Sequence, residues 1–141
     1  MHIERLGDLG AADDVLRAVA AGAHLHRLPP PAALIGDWFA SAAVIAPSVA
    51  VRPVDVGGVF PESPGCRPPP AFPDAVGGGW IGYLSYPDPG GGDAPPRIPE
   101  AAGGWTDAVL RCDRSGCWWF ESLLGKALPE WLSAALAVPP I

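Results

Sequence analysis

Prolines and glycines cut this chain into short pieces, and that sets the scale of any structure it can build. Proline cannot donate to a helical hydrogen-bond ladder and pushes the residue before it toward extended geometry. Leu28-Pro29-Pro30-Pro31 is one such stop, and the stretches 57–74 and 88–99 mix Pro and Gly without any period, as surface loops do. With 18 glycines and 19 prolines in 141 residues, the chain touches the composition at which disorder sets in. A hydrophobic content of 49% decides against disorder. A domain of this length buries roughly 70% of the surface of its unfolded chain, which is enough for a core. The expectation is a single domain over residues 1–141, with short helices and strands between long Pro/Gly loops.

Between the breaks, periodicity assigns the elements. Val15, Leu16, Val19, Ala20 and Ala23 fall on one helical face over 13–23, with Asp13 and Asp14 at the favourable N-terminal end, so a helix is expected to open the domain. Residues 32–41, 42–45 and 49–56 are short apolar runs separated by turn-prone residues and read as strands. Gly77-Gly78-Gly79-Trp80-Ile81-Gly82-Tyr83-Leu84-Ser85-Tyr86-Pro87 reads as a glycine-led strand, with Trp80, Gly82, Leu84 and Tyr86 on one face. Residues 105–112 and 117–123 flank Asp113-Arg114-Ser115-Gly116, whose terminal Asp and Gly suit a type I turn, and predict a β-hairpin. Pro129 starts a closing helix that places Trp131, Leu132, Ala135 and Leu136 on one face. The fold class is therefore α+β, a mainly antiparallel sheet with a helix near each end.

Several functions are excluded or disfavoured. Nine Lys and Arg against fifteen Asp and Glu give a net charge of −6 with no basic block, so nucleic acid has no electrostatic footprint to bind. No stretch approaches about 18 uninterrupted apolar residues, and the N-terminus carries no signal pattern, so a cytoplasmic protein with no membrane partner is expected. Three cysteines make no disulfide framework. Gly77-x-Gly79-x-x-Gly82 matches the dinucleotide fingerprint only in letters, because prolines precede it and a strand follows it where a helix is required. Cys112 and Cys117 flank the hairpin turn as potential cross-strand neighbours. Zinc would need a second ligand pair, however, and His24-x-His26 points its rings in different directions. No metal site and no Cys–His nucleophile is expected.

Two features stay open. Six tryptophans are many for this length, and most should be core. Trp118 and Phe120 share one face of the hairpin while Trp119 and Glu121 share the other, which leaves that second face free to pack on another domain. Asp37 sits among apolar strand residues beside Gly36, where a carboxylate must reach solvent or find a donor. It is either a turn-capping residue or an ammonium-binding carboxylate in a ligand pocket.

Taken in order, these pieces resemble one family. Gly78-Gly79-Trp80-Ile81-Gly82-Tyr83-Leu84-Ser85-Tyr86 is similar to the Gly-Gly-x-x-Gly-Tyr-x-(Ser/Gly)-Tyr-Asp signature in the N-terminal region of the chorismate-utilising synthases, component I of aminodeoxychorismate synthase and of anthranilate synthase. Leu34-Ile35-Gly36-Asp37-Trp38 falls where that family has its Leu-Leu-(Glu/His/Asp)-Ser-Gly strand, and the 105–123 hairpin falls where its sheet continues. The resemblance spans about residues 30–125 and is most specific at the glycine–tyrosine stretch. It implies an N-terminal region packed on a larger chorismate-binding part, and a tryptophan-like pocket drawing on Ile35, Gly36, Asp37, Trp38, Gly82 and Tyr83. It also gives Gly78, Gly79 and Tyr86 a structural or interdomain role. Gly36-Asp37 replaces the family's Glu-Ser pair, and Pro87 stands where the signature has Asp.

The family's chemistry requires carboxylates to hold Mg²⁺, a general acid or base at the ring and, for aminodeoxychorismate synthesis, a lysine in a Pro-Ile-Lys-Gly-Thr motif. Lys126, the one lysine, lies in Leu124-Gly125-Lys126-Ala127-Leu128 instead. The resemblance therefore implies a noncatalytic domain with no cofactor of its own. Its partners would be a chorismate-binding catalytic domain, expected beyond Ile141 or in a split gene product, which carries the Mg²⁺, and a glutamine amidotransferase subunit. The eroded Leu-Leu-Glu-Ser pattern favours the p-aminobenzoate and folate branch over anthranilate synthase. A free-standing module that binds an aromatic amino acid is the alternative from another class.

Overall fold

A computed structural model of the chain describes residues 1–54, 68–84 and 101–137. Ser85, Tyr86, Pro87, Asp88, Cys66 and most of the two Pro/Gly loops lie outside the described residues. Among the described residues, eight strands and two helices follow in the order β1 (His2–Gly7), α1 (Ala12–Leu25), β2 (Ala32–Trp38), β3 (Ser41–Ala46), β4 (Arg52–Pro53), β5 (Gly79–Leu84), β6 (Ala101–Thr106), β7 (Ala108–Asp113), β8 (Trp118–Ser122) and α2 (Glu130–Leu136). The class is α+β with antiparallel pairing throughout and a helix near each end.

The strands form two sheets, a five-stranded one ordered β1-β8-β7-β3-β2 and a three-stranded one ordered β4-β6-β5. Alternation along the larger sheet explains its core. Ala43, Ile45, Leu110, Cys112, Trp118 and Phe120 turn to one face and meet Val15 and Val19 of α1 and Leu132 of α2. The helices cross closely because Gly22 of α1 has no side chain where Ala135 of α2 arrives. Trp118 is fully buried, and its indole N–H donates to the Gly10 carbonyl at 3.1 Å, which satisfies the one polar atom that ring brings into the core.

Several expectations need correction. A strand, not a helix, opens the domain: β1 pairs with β8, placing Glu4 opposite Phe120 and Arg5 opposite Trp119. Its mixed polar and apolar sequence carries no alternation, and the exposed backbone edge of β8 is what recruits it. The run 105–112 is two strands, since the chain leaves the small sheet at Thr106 and enters the large one at Ala108, turning at Asp107. Asp107 holds that corner, accepting from Ser122 Oγ at 2.7 Å and from the Leu124 N–H at 2.8 Å. Of the 49–56 run, only Arg52–Pro53 is strand among the described residues. Trp118 alone of the six tryptophans is fully buried, while Trp38 and Trp105 are 45% and 40% exposed. Cys112 pairs with Trp118 and not with Cys117, so the two thiols are not cross-strand partners. No helix among the described residues is long and apolar enough to cross a membrane.

Candidate functional site

The residues singled out by the sequence fall at two sheet edges. The first is the β2–β3 hairpin, where β2 has only β3 as a sheet neighbour among the described residues. Pairing is regular from Ala32 to Ile35 and then shifts before Trp38, so Gly36 and Asp37 form a bulge, and Gly36 takes a φ of +129° that favours glycine. The bulge aims Asp37 outward to Arg114 in the neighbouring hairpin turn, with Nη2–Oδ1 at 3.0 Å. Both side chains are largely exposed, so this pair adds little stability; the β3–β7 pairing, with Ser41 opposite Asp113, is what sets the two turns side by side. Among the described residues Asp37 accepts from Arg114 and from no turn amide. Ile35, Trp38 and Phe39 are 53%, 45% and 61% exposed and give this end of the sheet an apolar surface.

The turn itself is strained. Trp38 pairs with Ser41, leaving Phe39 and Ala40 as a two-residue loop with φ of +51° and +57°. Positive φ at both central residues is the type I′ pattern that Asn-Gly satisfies readily. A non-glycine residue held there costs about 1–2 kcal/mol, and strain of this kind persists only where surrounding contacts impose it.

The second edge is β5, which among the described residues pairs only with β6. Gly82 lies opposite Gly103, and the Trp80 indole lies across both; a methyl group on either would collide with that ring. A methyl on Gly82 would also meet the Ala102 carbonyl, and one on Gly78 the carbonyls of Thr106 and Asp107. These glycines thus serve close approach within the domain. Trp80 also lies opposite the exposed Trp105, and Tyr83 is 38% exposed near the end of the strand.

Between the two edges runs a buried polar chain on the face of the large sheet away from the helices. Arg111 Nε donates to Glu121 Oε2 at 2.8 Å, and Glu121 is fully buried. Glu121 Oε1 accepts from the backbone N–H groups of Val76 and Gly77 at 2.7 and 3.0 Å. Arg111 Nη1 reaches Ser41 Oγ at 3.4 Å, and that hydroxyl donates to the Phe39 carbonyl at 3.2 Å. Phe72 packs edge-on against Trp119, with ring centroids 5.5 Å apart. The second hairpin face, expected to be free for another domain, is thus covered in this region by the chain's own residues 72–77.

Asp113 organises the β7–β8 turn. Burial pushes its carboxyl up. Hydrogen bonds from the Ser115 hydroxyl, the Trp119 indole and the Cys117 and Ser115 backbone N–H groups outweigh that effect and hold its pKa down at about 2. Burial raises the Cys112 thiol, with the Asp113 charge acting in the same direction, so this cysteine is not poised as a nucleophile.

The structure brings Ile35, Gly36, Asp37 and Trp38 together on one sheet, and Gly78, Gly79, Gly82 and Tyr83 on or beside the edge of the other. A cleft of about 250 Å³ lies elsewhere, lined by Leu28, Ser48, Asp107, Phe120, Trp131 and Leu132 among others, and includes none of those residues. Among the described residues no group of three or more His, Cys, Asp or Glu side chains converges as a metal site. Sequence reasoning missed Phe39, Ser41, Arg111 and Arg114. An arginine and a glutamate on one face of the β7–β8 hairpin, ten residues apart around its turn, were the legible signal for the buried pair. Comparison with protein-family models, with curated proteins and with solved structures finds no match to this chain.

Proposed function

We propose that this chain is the noncatalytic N-terminal domain of an aminodeoxychorismate synthase component I, acting in p-aminobenzoate and folate biosynthesis in the cytoplasm. Its role is to pack on a chorismate-binding catalytic part outside this chain, which would hold Mg²⁺ and receive ammonia from a glutamine amidotransferase subunit. The observation that carries the reading is the glycine–tyrosine strand. Residues 78–83 fit the family signature; in the fold Gly78 and Gly82 lie where a side chain would collide with neighbouring backbone, Gly79 has open space around it, and Tyr83 is exposed. The exposed Ile35, Trp38 and Phe39 on the other sheet supply further apolar surface for a neighbouring domain.

The test is to mix this chain with the separately produced chorismate-binding polypeptide of the same organism and follow chorismate turnover with ammonia. Turnover that rises on adding the domain, together with a stable complex, supports the reading; no association opposes it. Anthranilate synthase component I is distinguished by its product, anthranilate in place of aminodeoxychorismate. The second reading, a free-standing module for an aromatic amino acid, draws on the bulge that presents Asp37 beside Trp38. Calorimetry with tryptophan separates the two: heat that disappears in Asp37→Ala favours the module, and silence leaves the domain as scaffold.

A further inference from the structure

From the polar chain on the buried face of the large sheet, we infer that the strained β2–β3 turn and the segment leading into β5 form one conformational unit, coupled through Ser41, Arg111 and Glu121. Each link has a defined donor and acceptor. The Ser41 hydroxyl donates to the Phe39 carbonyl and accepts from Arg111, Arg111 donates to Glu121, and Glu121 accepts from the amides of Val76 and Gly77. The two ends are far apart in sequence, yet the chain between them needs only three side chains.

Two observations make this more than an ordinary buried ion pair. The first is that one end is under backbone strain at two successive non-glycine residues, Phe39 at φ +51° and Ala40 at φ +57°. A turn held off its preferred geometry relaxes if its restraints are released, and the Ser41 bond to the Phe39 carbonyl is one of those restraints. The second is that the other end is a narrow passage. Gly77 is at φ +67° and lies close enough to Leu123 that a side chain there would overlap it, so residues 76–77 pass tightly beside β8. Glu121 is fully buried, and its carboxylate needs both its amide donors and Arg111. Movement at either end therefore strips partners from a charge that cannot reach water. The coupling is independent of which protein family the domain serves.

Hydrogen exchange at the Val76 and Gly77 amides reads the coupling directly. Four proteins suffice: the natural chain, Ser41→Ala, the relaxed turn Phe39→Asn with Ala40→Gly, and the combination. The Ser41→Ala change should speed exchange at Val76 and Gly77 by roughly tenfold or more, the size expected for losing a hydrogen bond to a charged group. Amides in the β1–β8 ladder should keep their rates. The relaxed turn should alter the Val76 and Gly77 rates in the natural background and leave them unaltered when Ser41 is already Ala, the signature of a shared path. Glu121→Gln should raise exchange at the same two amides. The inference is overturned if the turn variant leaves Val76 and Gly77 unchanged in both backgrounds, or if Ser41→Ala speeds exchange uniformly over the domain.

Discussion

Single carboxylates do the most specific work in this domain, and Asp113 shows how. Three donors converge on its Oδ1 and the Trp119 indole on its Oδ2, so the ionised form is bound far more tightly than the protonated one. A carboxyl whose folded pKa is held at about 2 adds stability that is present above the ordinary value near 3.8 and fades as pH falls toward 2. The domain should therefore lose on the order of 1–2 kcal/mol of unfolding free energy between about pH 4 and pH 2 through this group. Asp113→Ala should lose a similar amount at neutral pH and flatten that part of the profile, as measured by urea unfolding across pH. The sequence placed Asp113 at a turn because Asp at the first position and Gly at the last are a local signal. It gave no sign of Asp37 pairing with Arg114, since those residues meet only when two hairpins lie side by side.

At the level of the elements, short-range pattern was readable and long-range pairing was not. The α1 face and the β7–β8 hairpin emerged from spacing alone because each is set by contacts a few residues apart. The sheet switch at Asp107 and the recruitment of β1 were hidden, because each depends on a partner strand more than ten residues away. The glycine-led strand was legible as a strand, with a neighbouring strand or another domain as the surface its glycines would fit; for Gly82 it is the neighbouring β6 together with the Trp80 ring, while Gly79 has open space around it. Gly82→Ala should consequently cost about 1–3 kcal/mol by overpacking against the Ala102 carbonyl and Trp80. Gly116→Ala probes the other use of glycine: it has open space around it but a φ of +90°, so its loss should come from backbone conformation alone. Thermal melts of both variants check the pair, and a Gly82→Ala protein as stable as the natural chain would remove the close-packing account of β5.

Taken together, the described residues are closed on one side and open at the edges of both sheets. Two helices seal one face of the large sheet, and residues 72–77 cover part of the other, while apolar side chains remain exposed on β2, at the β2–β3 turn and on the small sheet. The proposed function rests on a partner covering those edges. Hydrogen exchange of the domain with and without the chorismate-binding polypeptide of the same organism tests that most directly. The account predicts a complex in which residues 34–39 of the first edge and 80–83 of the second gain protection while the exposed side of α1 does not. Failure of the two chains to associate, or protection confined to the helices, would contradict it.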